Sequence, residues 1–244
     1  SHSMIYVFSF IVGAVVGSFL NAAEWRIHRG IPLFSRRRSE CPNCGKLVPF
    51  FLNIPIFSFL MLKGRCRFCK KQISKHYLYV ELVTAFLFTL AVFLKGDFSA
   101  LSLSAFVELS QDWLIISVFV FIFLYDFKYG EVLDSITLLG ALFVFLISAV
   151  LGPIAWWSLL WGILIGFGFF FLQYVFSKGR WIGGGDLRIG FFMGVALGWP
   201  LIAVALFLSY TIGALFSLIL IVLKRQGMRG KTAFGTYLAV GSII

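Results

Sequence analysis

The sequence predicts an all-α polytopic membrane protein with about eight transmembrane helices. Of its 244 residues, 60% are hydrophobic and only 13% are charged, whereas about a quarter of the residues in a soluble domain are charged. The mean hydropathy is +0.97. Apolar runs of about 20 residues, the length that crosses the hydrocarbon, recur along the chain. This composition excludes a soluble globular domain, a disordered chain and a disulfide-rich secreted module.

The first apolar run starts close to the beginning of the chain. Residues 1–3, ahead of Met4, are interpreted as an expression scar, and residues 4–23 carry no charge. This run lacks the basic leading region and the small-residue cleavage site of a signal peptide. We therefore predict a first transmembrane helix at 4–23, followed by a polar loop at 24–75.

Residues 76–244 are predicted to form a membrane core of about seven further helices. A run at 76–94 is followed by a polar-leaning stretch at 95–112. The next run, 113–125, is too short to span unless its helix continues past Asp126. The other predicted spans are two within 135–177, separated at Gly152-Pro153, two within 181–223, separated by the turn Gly198-Trp199-Pro200, and a short one at 232–244.

The positions of the basic residues predict the orientation of these helices. The net charge is +11, and the loop at 24–75 alone carries twelve of the twenty-one Lys and Arg residues. If this loop is cytoplasmic and the sides alternate, twenty basic residues lie on the cytoplasmic side and only Lys95 lies outside. Cytoplasmic loops of membrane proteins carry such an excess. We therefore expect both termini outside.

The four cysteines lie in this loop as two pairs, Cys41 with Cys44 and Cys66 with Cys69. Two Cys-x2-Cys pairs at this separation can present four thiolates tetrahedrally to Zn²⁺. Two disulfides are the alternative, but they rarely persist in a reducing cytosol. The loop is therefore predicted to be a small cytoplasmic zinc-binding domain. Four Cys ligands leave no open position for a catalytic water, so the role of the zinc is structural.

The run Arg36-Arg37-Arg38 and the scattered basic residues of the loop admit two interpretations. They could bind nucleic acid, or they could be attracted to anionic lipid head groups at the inner leaflet. The lipid interpretation is favoured, and we expect no nucleic-acid partner.

Two aspartates are predicted at the cytoplasmic ends of two spans. Asp126 ends the run at 113–125, and Asp186 follows Gly183, Gly184 and Gly185. Ionisable residues at membrane depth are functional candidates, and glycines allow close approach of a substrate or helix. Two neighbouring carboxyl groups can share one proton, so that one acts as a base towards water.

The alternative is that each aspartate caps a helix start or pairs with Lys128 or Arg188. Asp134 is a competing candidate, because it lies eight residues after Asp126 and is predicted on a similar helical face. The matching depth of Asp126 and Asp186 favours a catalytic pair.

The whole chain from Met4 resembles the type IV prepilin peptidases. The segments that carry the resemblance are 17–21 (GSFLN), 53–55 (NIP), 64–69 (GRCRFC), 73–74 (IS), 80–84 (VELVT), 134–137 (DSIT) and 183–186 (GGGD), together with Asp126. The chain departs from the family pattern at Leu133-Asp134, at His76-Tyr77-Leu78 and at 233–236 (AFGT). None of these departures involves Asp126 or Asp186.

The resemblance implies an intramembrane aspartic protease of the bacterial inner membrane, with eight spans and a cytoplasmic active site. It implies Asp126 and Asp186 as catalytic residues, and prepilins or pseudopilins as substrates, cleaved after the Gly that ends a basic leader. The four-cysteine loop implies a second activity, N-methylation of the new N terminus with S-adenosylmethionine. No glycine-rich nucleotide-binding fingerprint occurs in the loop, so methylation rests on the resemblance alone.

Two other function classes compete with this interpretation. A proton-coupled secondary transporter would use the aspartate pair as a proton relay, and it would contain inverted repeats, which the sequence does not show. A membrane-anchored zinc scaffold would leave the segment 183–186 unexplained.

Overall fold

The computed structural model describes residues 2–33, 40–41, 43–96, 102–152, 154–223 and 233–244. Within these ranges the chain is helical, with two isolated β-bridges and no β-strand, which confirms the all-α prediction. A short 3-10 turn at Phe50–Leu52 precedes α2. The helices are α1 (His2–His28), α2 (Phe57–Met61), α3 (Lys75–Lys95), α4 (Leu103–Tyr129), α5 (Asp134–Leu151), α6 (Trp156–Ser177), α7 (Gly184–Leu197), α8 (Leu201–Val222) and α9 (Phe234–Ile243).

Six of these helices, α1, α3, α4, α5, α6 and α8, are long and apolar enough to cross a membrane. Helices α7 and α9 coincide with the other two predicted spans, but they have only 14 and 10 residues. A straight span needs about 20. The described residues therefore form a multi-pass membrane protein with six candidate spans, and the predicted number of eight is not confirmed.

Helix α4 is longer than the apolar run at 113–125 predicted. It begins at Leu103, within the polar-leaning stretch, and it continues past Asp126 to Tyr129. Within this polar-leaning stretch, the Gln111 amide nitrogen donates a 3.0 Å hydrogen bond to the Ser148 hydroxyl of α5. A buried amide needs such a partner. A boundary drawn from apolar character alone cannot detect a partner that lies 37 residues away.

The chain divides into two compact units, and the first is Ser1–Ala105. Helices α1 and α3 pack along each other in this unit. A Cβ atom added to Gly13 would lie 2.7 Å from the Ala85 Cα, and one added to Gly17 would lie 2.9 Å from the Glu81 Cα. Membrane helices pack this closely where their contact positions are small residues. The two helices therefore form a tight pair that supports the cysteine-containing loop between them.

The second unit is Phe106–Ile244, and α7 is its central helix. Helices α5, α6, α8 and α9 all contact α7. Ile189, Phe192, Met193 and Val195 of α7 are each 0% exposed. A helix that is surrounded in this way is apolar on every face. The packing holds the first turn of α7, with Asp186, in a fixed place.

Helices α6 and α7 are in backbone contact through glycines. A Cβ atom added to Gly166 would overlap the Gly190 carbonyl oxygen, and one added to Gly162 would overlap that of Gly194. Any larger residue at Gly162 or Gly166 would force the two helices apart. This contact fixes the depth of α7 within its unit.

Candidate functional site

Asp126 lies in the last turn of α4 and is only 5% exposed. Its Oδ2 atom accepts two hydrogen bonds from Thr236, one from the backbone N–H at 2.7 Å and one from the side-chain hydroxyl at 3.1 Å. Buried carboxylates need such donors, because desolvation without them is costly. Helix α9, which is 110 residues further along the chain, therefore positions this aspartate.

Gly235 allows the start of α9 to reach Asp126. A Cβ atom added to Gly235 would lie 2.9 Å from the Asp126 Oδ2 and 2.7 Å from the Ile189 Cδ1. Only a residue without a side chain fits between these two groups. The motifs predict no role for 233–236, and the signal for one is a Gly-Thr pair at the start of an otherwise apolar helix.

Asp186 lies in the first turn of α7 and is half-buried. Its Oδ2 atom accepts the Gly183 N–H at 2.9 Å. An acidic side chain in the first turn of a helix is stabilised by the free N–H groups and by the positive end of the helix dipole. The capping role considered from the sequence is therefore observed for Asp186. Capping fixes the orientation of this carboxyl group at the N-terminal end of α7.

The three glycines before Asp186 are in different surroundings. A Cβ atom added to Gly185 would lie 2.8 Å from the Val132 Cγ2, so this glycine is required for close packing. The nearest groups to the corresponding atoms of Gly183 and Gly184 are 3.9 and 4.0 Å away. Gly185 therefore allows α7 to pack against the α4–α5 connection. Gly183 and Gly184 leave open space beside Asp186.

Asp126 of α4 and Asp186 of α7 are 60 residues apart in sequence. The fold of the second unit brings their carboxyl groups into electrostatic interaction. Two carboxyl groups in one partly desolvated site do not ionise together, because the second charge is repelled by the first. Two such carboxyl groups can share one proton, and a pair of this kind can serve as a general base and a general acid.

A tyrosine that is hydrogen-bonded to a glutamine interacts with one member of this pair. Tyr210 of α8 interacts electrostatically with Asp186. Its hydroxyl group and the Gln173 amide of α6 exchange hydrogen bonds of 3.0 and 3.1 Å, and its ring packs edge-on against Phe234, with centroids 5.0 Å apart. Neither Tyr210 nor Gln173 is predicted from the sequence as a site residue. Their signal is a hydrogen-bonding side chain within each of two uncharged spans.

Asp134 does not lie on the helical face that carries Asp126, so that prediction is wrong. Helix α4 ends at Tyr129, Gly130 adopts the left-handed region with φ 65°, and Asp134 opens α5. Its Oδ1 atom is 2.7 Å from the Arg188 guanidinium, and both side chains are substantially exposed. The arginine considered as a partner for the catalytic candidates therefore pairs with Asp134.

The four cysteines come together as predicted. The Sγ atoms of Cys41, Cys44, Cys66 and Cys69 all lie within 4.8 Å of one another, and none of these residues forms a disulfide. The Sγ atoms of Cys41 and Cys69 are 3.9 Å apart. A tetrahedral Zn²⁺ site with bonds of about 2.3 Å separates its sulfur atoms by about 3.8 Å. The cluster therefore has the size of a four-thiolate metal site.

Each cysteine pair sits in the same turn, repeated 25 residues later. The N–H of Cys41 donates to the carbonyl of Lys46, and the N–H of Cys66 donates to that of Lys71. Isolated bridges join Glu40 to Leu47 and Arg65 to Gln72 at the same offset. Gly45 and Lys70, one residue after each pair, both adopt positive φ, at 65° and 59°. This repeated turn is the part of the candidate metal site that the cysteine spacing did not predict.

The thiol groups are electrostatically suited to a cation. Backbone N–H groups of Cys69 and Phe68 donate towards Cys66 and lower its pKa to about 6. The Lys46 N–H acts in the same direction on Cys44, but burial and the neighbouring Cys41 and Cys69 outweigh it and raise the pKa of Cys44 to about 11. A thiol crowded by other thiols keeps its proton until a cation offsets the repulsion. The cluster therefore fits a divalent metal with an affinity for thiolate. The predicted basic run at 36–38 lies outside the described residues.

Two family models match the chain. Residues 11–95 match the model described as the bacterial peptidase A24 N-terminal domain. Residues 113–218 match the model of the type IV leader peptidase family. The second match contains Asp126 and Asp186, and the first contains all four cysteines. No solved structure matches the chain at a significant level.

Several curated proteins are similar along nearly their whole length. A prepilin leader peptidase/N-methyltransferase of Bacillus subtilis is 32% identical over 96% of this chain and 91% of its own length. Proteins of the same name from Aeromonas salmonicida and Burkholderia pseudomallei are 30% and 29% identical, over 99% and 98% of this chain and over 89% and 84% of their own lengths.

Proposed function

This chain belongs to the type IV leader peptidase family, and from that premise we propose that it is a prepilin leader peptidase and N-methyltransferase. It would remove the basic leader of a prepilin or pseudopilin after a Gly and then methylate the new N terminus. Membership confirms the resemblance found in the motifs. It does not favour the transporter or the zinc scaffold, which the sequence had left as alternatives.

The observation that carries the proposal is the pairing of Asp126 with Asp186 at the ends of α4 and α7. The two Thr236 donors stabilise the ionised form of Asp126. Asp186 has a single backbone donor and faces the Asp126 charge. We therefore assign Asp126 as the ionised base and Asp186 as the group that holds the shared proton.

Peptide cleavage follows from this assignment in two steps. Asp126 removes a proton from water, and the hydroxide oxygen forms a bond to the scissile carbonyl carbon while Asp186 donates a hydrogen bond to the developing oxyanion. The carbonyl group then re-forms as the carbon–nitrogen bond breaks, and the leaving amine takes up the proton that Asp126 removed from the water. The open space beside Gly183 and Gly184 would admit the unwound peptide.

The second activity concerns the amine that cleavage releases. S-adenosylmethionine would supply a methyl group to the amine nitrogen: the carbon–nitrogen bond forms as the carbon–sulfur bond breaks, its electron pair stays on sulfur, and the amine releases a proton. The four cysteines would hold Zn²⁺ with no open coordination position. Their contribution would be to fold the loop domain.

The location of the enzyme is also part of the proposal. We place the chain in the bacterial inner membrane with α7 and α9 completing eight spans, because they lie where the sequence predicts the sixth and eighth. The distribution of basic residues places the loop domain and both aspartates on the cytoplasmic side, with both termini outside. The basic leader of a prepilin and the anionic head groups of the inner leaflet would meet the enzyme on that side.

Incubation of the purified, detergent-solubilised protein with a full-length prepilin and S-adenosylmethionine tests both activities. Mass spectrometry of the product should show loss of the leader and a gain of one methyl group at the new N terminus. Omission of S-adenosylmethionine should abolish only the methyl gain. Intact prepilin after incubation with the wild-type protein would refute the peptidase assignment, and a cleaved but unmethylated product would refute the second activity.

A further inference from the structure

The short helix α2 exposes an apolar face. Phe57, Leu60 and Met61 have the i, i+3, i+4 spacing that places side chains on one side of a helix, and they are 58%, 61% and 50% exposed. Ser58, on another side, is buried. A contiguous exposed apolar patch marks a site of contact with a protein or a membrane. The loop between α1 and α3, which the sequence predicts to be polar, therefore contains an apolar contact surface.

The start of α2 is attached to a membrane-spanning helix. The Ile56 N–H, directly before α2, donates to the Glu81 Oε2 at 2.7 Å. Glu81 is six residues beyond Lys75, the first residue of the candidate span α3, and this is about 9 Å along a helix that rises 1.5 Å per residue. Interfacial helices lie about 5–10 Å into the boundary between head groups and acyl chains. The hydrogen bond therefore holds α2 at the level of that boundary.

A basic pocket follows the apolar face directly along the chain. It has a volume of about 300 Å³, none of the six described residues that line it is acidic, and four are cationic, namely Lys63, Arg65, Arg67 and Lys70. Clusters of Lys and Arg side chains bind phosphate groups, and each such residue near an anionic membrane surface adds to the attraction. The loop domain thus combines an apolar face with a cationic pocket, as helices that lie on anionic membranes do.

The two copies of the cysteine turn indicate that the fold does not require these charges. Glu40 and Gly45 of the first copy occupy the positions of Arg65 and Lys70 in the second. Lys70 has a φ of 59°, in the left-handed region that glycine adopts most readily, and Gly45 has a φ of 65°. The same turn therefore forms with an acid and a glycine. We infer that the cations of the second copy serve contact with another molecule.

Charge complementarity indicates which molecule this is. The phospholipids of the inner leaflet present anionic head groups next to acyl chains, so one lipid surface matches both the basic pocket and the apolar face. A second copy of the chain would bring the same cations together and would be repelled. The leader of a prepilin is itself basic and would be repelled in the same way.

We propose that α2 is an interfacial helix through which the loop domain docks on an anionic lipid surface. Phe57, Leu60 and Met61 insert among the acyl chains, and the basic pocket binds head-group phosphates. Cys66 lines the same pocket, so docking holds the cysteine cluster beside the membrane. The inference goes beyond the proposed function, because it assigns a lipid contact to a domain that the sequence predicts as a cytoplasmic loop, and it assumes neither cleavage nor methylation.

Photo-cross-linking of the full-length protein in phospholipid nanodiscs tests the position of α2. Phe57→p-benzoylphenylalanine places a photoreactive ring on the exposed face. The matched control is Phe59→p-benzoylphenylalanine on the same helix, because Phe59 is half-buried and its ring Cζ lies 3.0 Å from a Cβ atom added to Gly64. Irradiation should attach phospholipid to position 57 at least about fivefold more often than to position 59, as counted by mass spectrometry. If the Phe57 variant fails to fold, Leu60→p-benzoylphenylalanine repeats the measurement on the same face.

The head-group contact is tested in nanodiscs that contain equal amounts of anionic phosphatidylglycerol and zwitterionic phosphatidylcholine. The adducts at position 57 should contain phosphatidylglycerol at least about fivefold more often, since one basic residue near an anionic surface contributes about that factor. Lys63→Gly with Lys70→Gly removes two charges at positions whose left-handed φ suits glycine, and it should lower this preference about fivefold or more. The control is Lys178→Gly with Arg180→Gly, which removes two exposed charges from the second unit and should leave the preference unchanged.

The docking surface is overturned if lipid adducts are absent at positions 57 and 60, or equally frequent at 57 and 59. Adducts between two copies of the chain would identify a dimer interface in its place, and adducts that form only with prepilin would identify a substrate contact. A phosphatidylglycerol preference that survives the loss of Lys63 and Lys70, or that falls equally in the control, would overturn the role of the basic pocket. None of these measurements requires turnover, so failure to cleave prepilin would refute the proposed function alone.

Discussion

The cysteine cluster and the aspartate pair are assembled by opposite means. The cluster consists of two copies of one short turn, each closed by its own backbone hydrogen bonds, and its four sulfur atoms lie within 4.8 Å of one another. The aspartate pair needs α4, α7 and α9 to pack correctly, because Thr236 and Asp126 are 110 residues apart. A metal can organise the cluster from local chain segments. Only the packed core of the second unit can organise the aspartates.

This contrast predicts that the two centres fail independently. Loss of the metal would release the turns around Cys41 and Cys66 and leave the buried residues of α7 untouched. Loss of an aspartate would stop cleavage without disturbing the thiols. Variants that affect one centre can therefore serve as controls for variants that affect the other, and any cross-effect measures how far the two units depend on each other.

The largest effect is expected for Asp186→Asn. The amide cannot hold the shared proton, so the oxyanion loses its acid partner and prepilin cleavage should fall by at least about a thousandfold. The variant should still contain about one zinc ion per chain, because all four thiols are intact. Cleavage is followed by gel shift and zinc by atomic absorption. Cleavage within tenfold of the wild-type rate would remove Asp186 from the catalytic pair.

The reciprocal variant is Cys66→Ser with Cys69→Ser. Two of four thiolate ligands are lost, so the purified protein should contain no zinc, and its loop should become sensitive to limited proteolysis. Cleavage of prepilin should change by less than about threefold. A thousandfold loss of cleavage would show that the metal centre supports the aspartates.

Sequence patterns and packing contributed differently to what could be predicted at these two centres. The spacing of Cys41, Cys44, Cys66 and Cys69 predicted their cluster, because the ligands of a metal knuckle are set by local geometry. Asp126 and Asp186 were recognisable as charges at membrane depth, since the hydrocarbon makes such residues costly. Their support by Thr236 was not predicted, because a hydrogen bond between the ends of α4 and α9 leaves no periodic signal.

The helix boundaries also depend on features that the hydrophobic pattern of the sequence does not contain. The apolar runs predict every long helix, but they place the start of α4 about ten residues late, because its first turns are polar-leaning and the bond from Gln111 to Ser148 joins residues that are 37 positions apart. The eight-residue spacing predicts Asp134 on a helical face similar to that of Asp126, and this prediction is wrong because α4 ends at Tyr129, before Gly130 with its positive φ. Local propensity does not determine either feature.

An intermediate effect is expected for Thr236→Val, which nearly preserves the shape of the side chain and removes its hydroxyl group. Asp126 loses one of its two Thr236 donors but keeps the backbone N–H at 2.7 Å. Loss of one hydrogen bond to a charged group should lower kcat about tenfold, with KM nearly unchanged. Steady-state kinetics on a leader peptide measure both constants.

The control for this variant is Thr236→Ser, which restores the hydroxyl group in a smaller side chain. It should recover activity to within about threefold of the wild type if the hydroxyl positions Asp126. Equal losses in the Val and Ser variants would indicate that the methyl group matters for packing and that the hydroxyl group does not position the base.

The smallest effect is expected for Asp134→Asn, which distinguishes the carboxyl group at the start of α5 from the pair formed by Asp126 and Asp186. The ion pair of Asp134 with Arg188 has a 2.7 Å contact, but its side chains are 50% and 41% exposed. Exposed ion pairs contribute only about 0–1 kcal/mol, so cleavage should fall by less than about fivefold, and the loss should disappear at high salt because the wild-type pair is screened there. The variant is compared with Asp186→Asn in the same leader-peptide assay at low and high ionic strength. A loss of cleavage as large as that of Asp186→Asn would make Asp134 a member of the catalytic pair. Burial of the Asp126 carboxyl group would then no longer be a reason to assign Asp126 as the base.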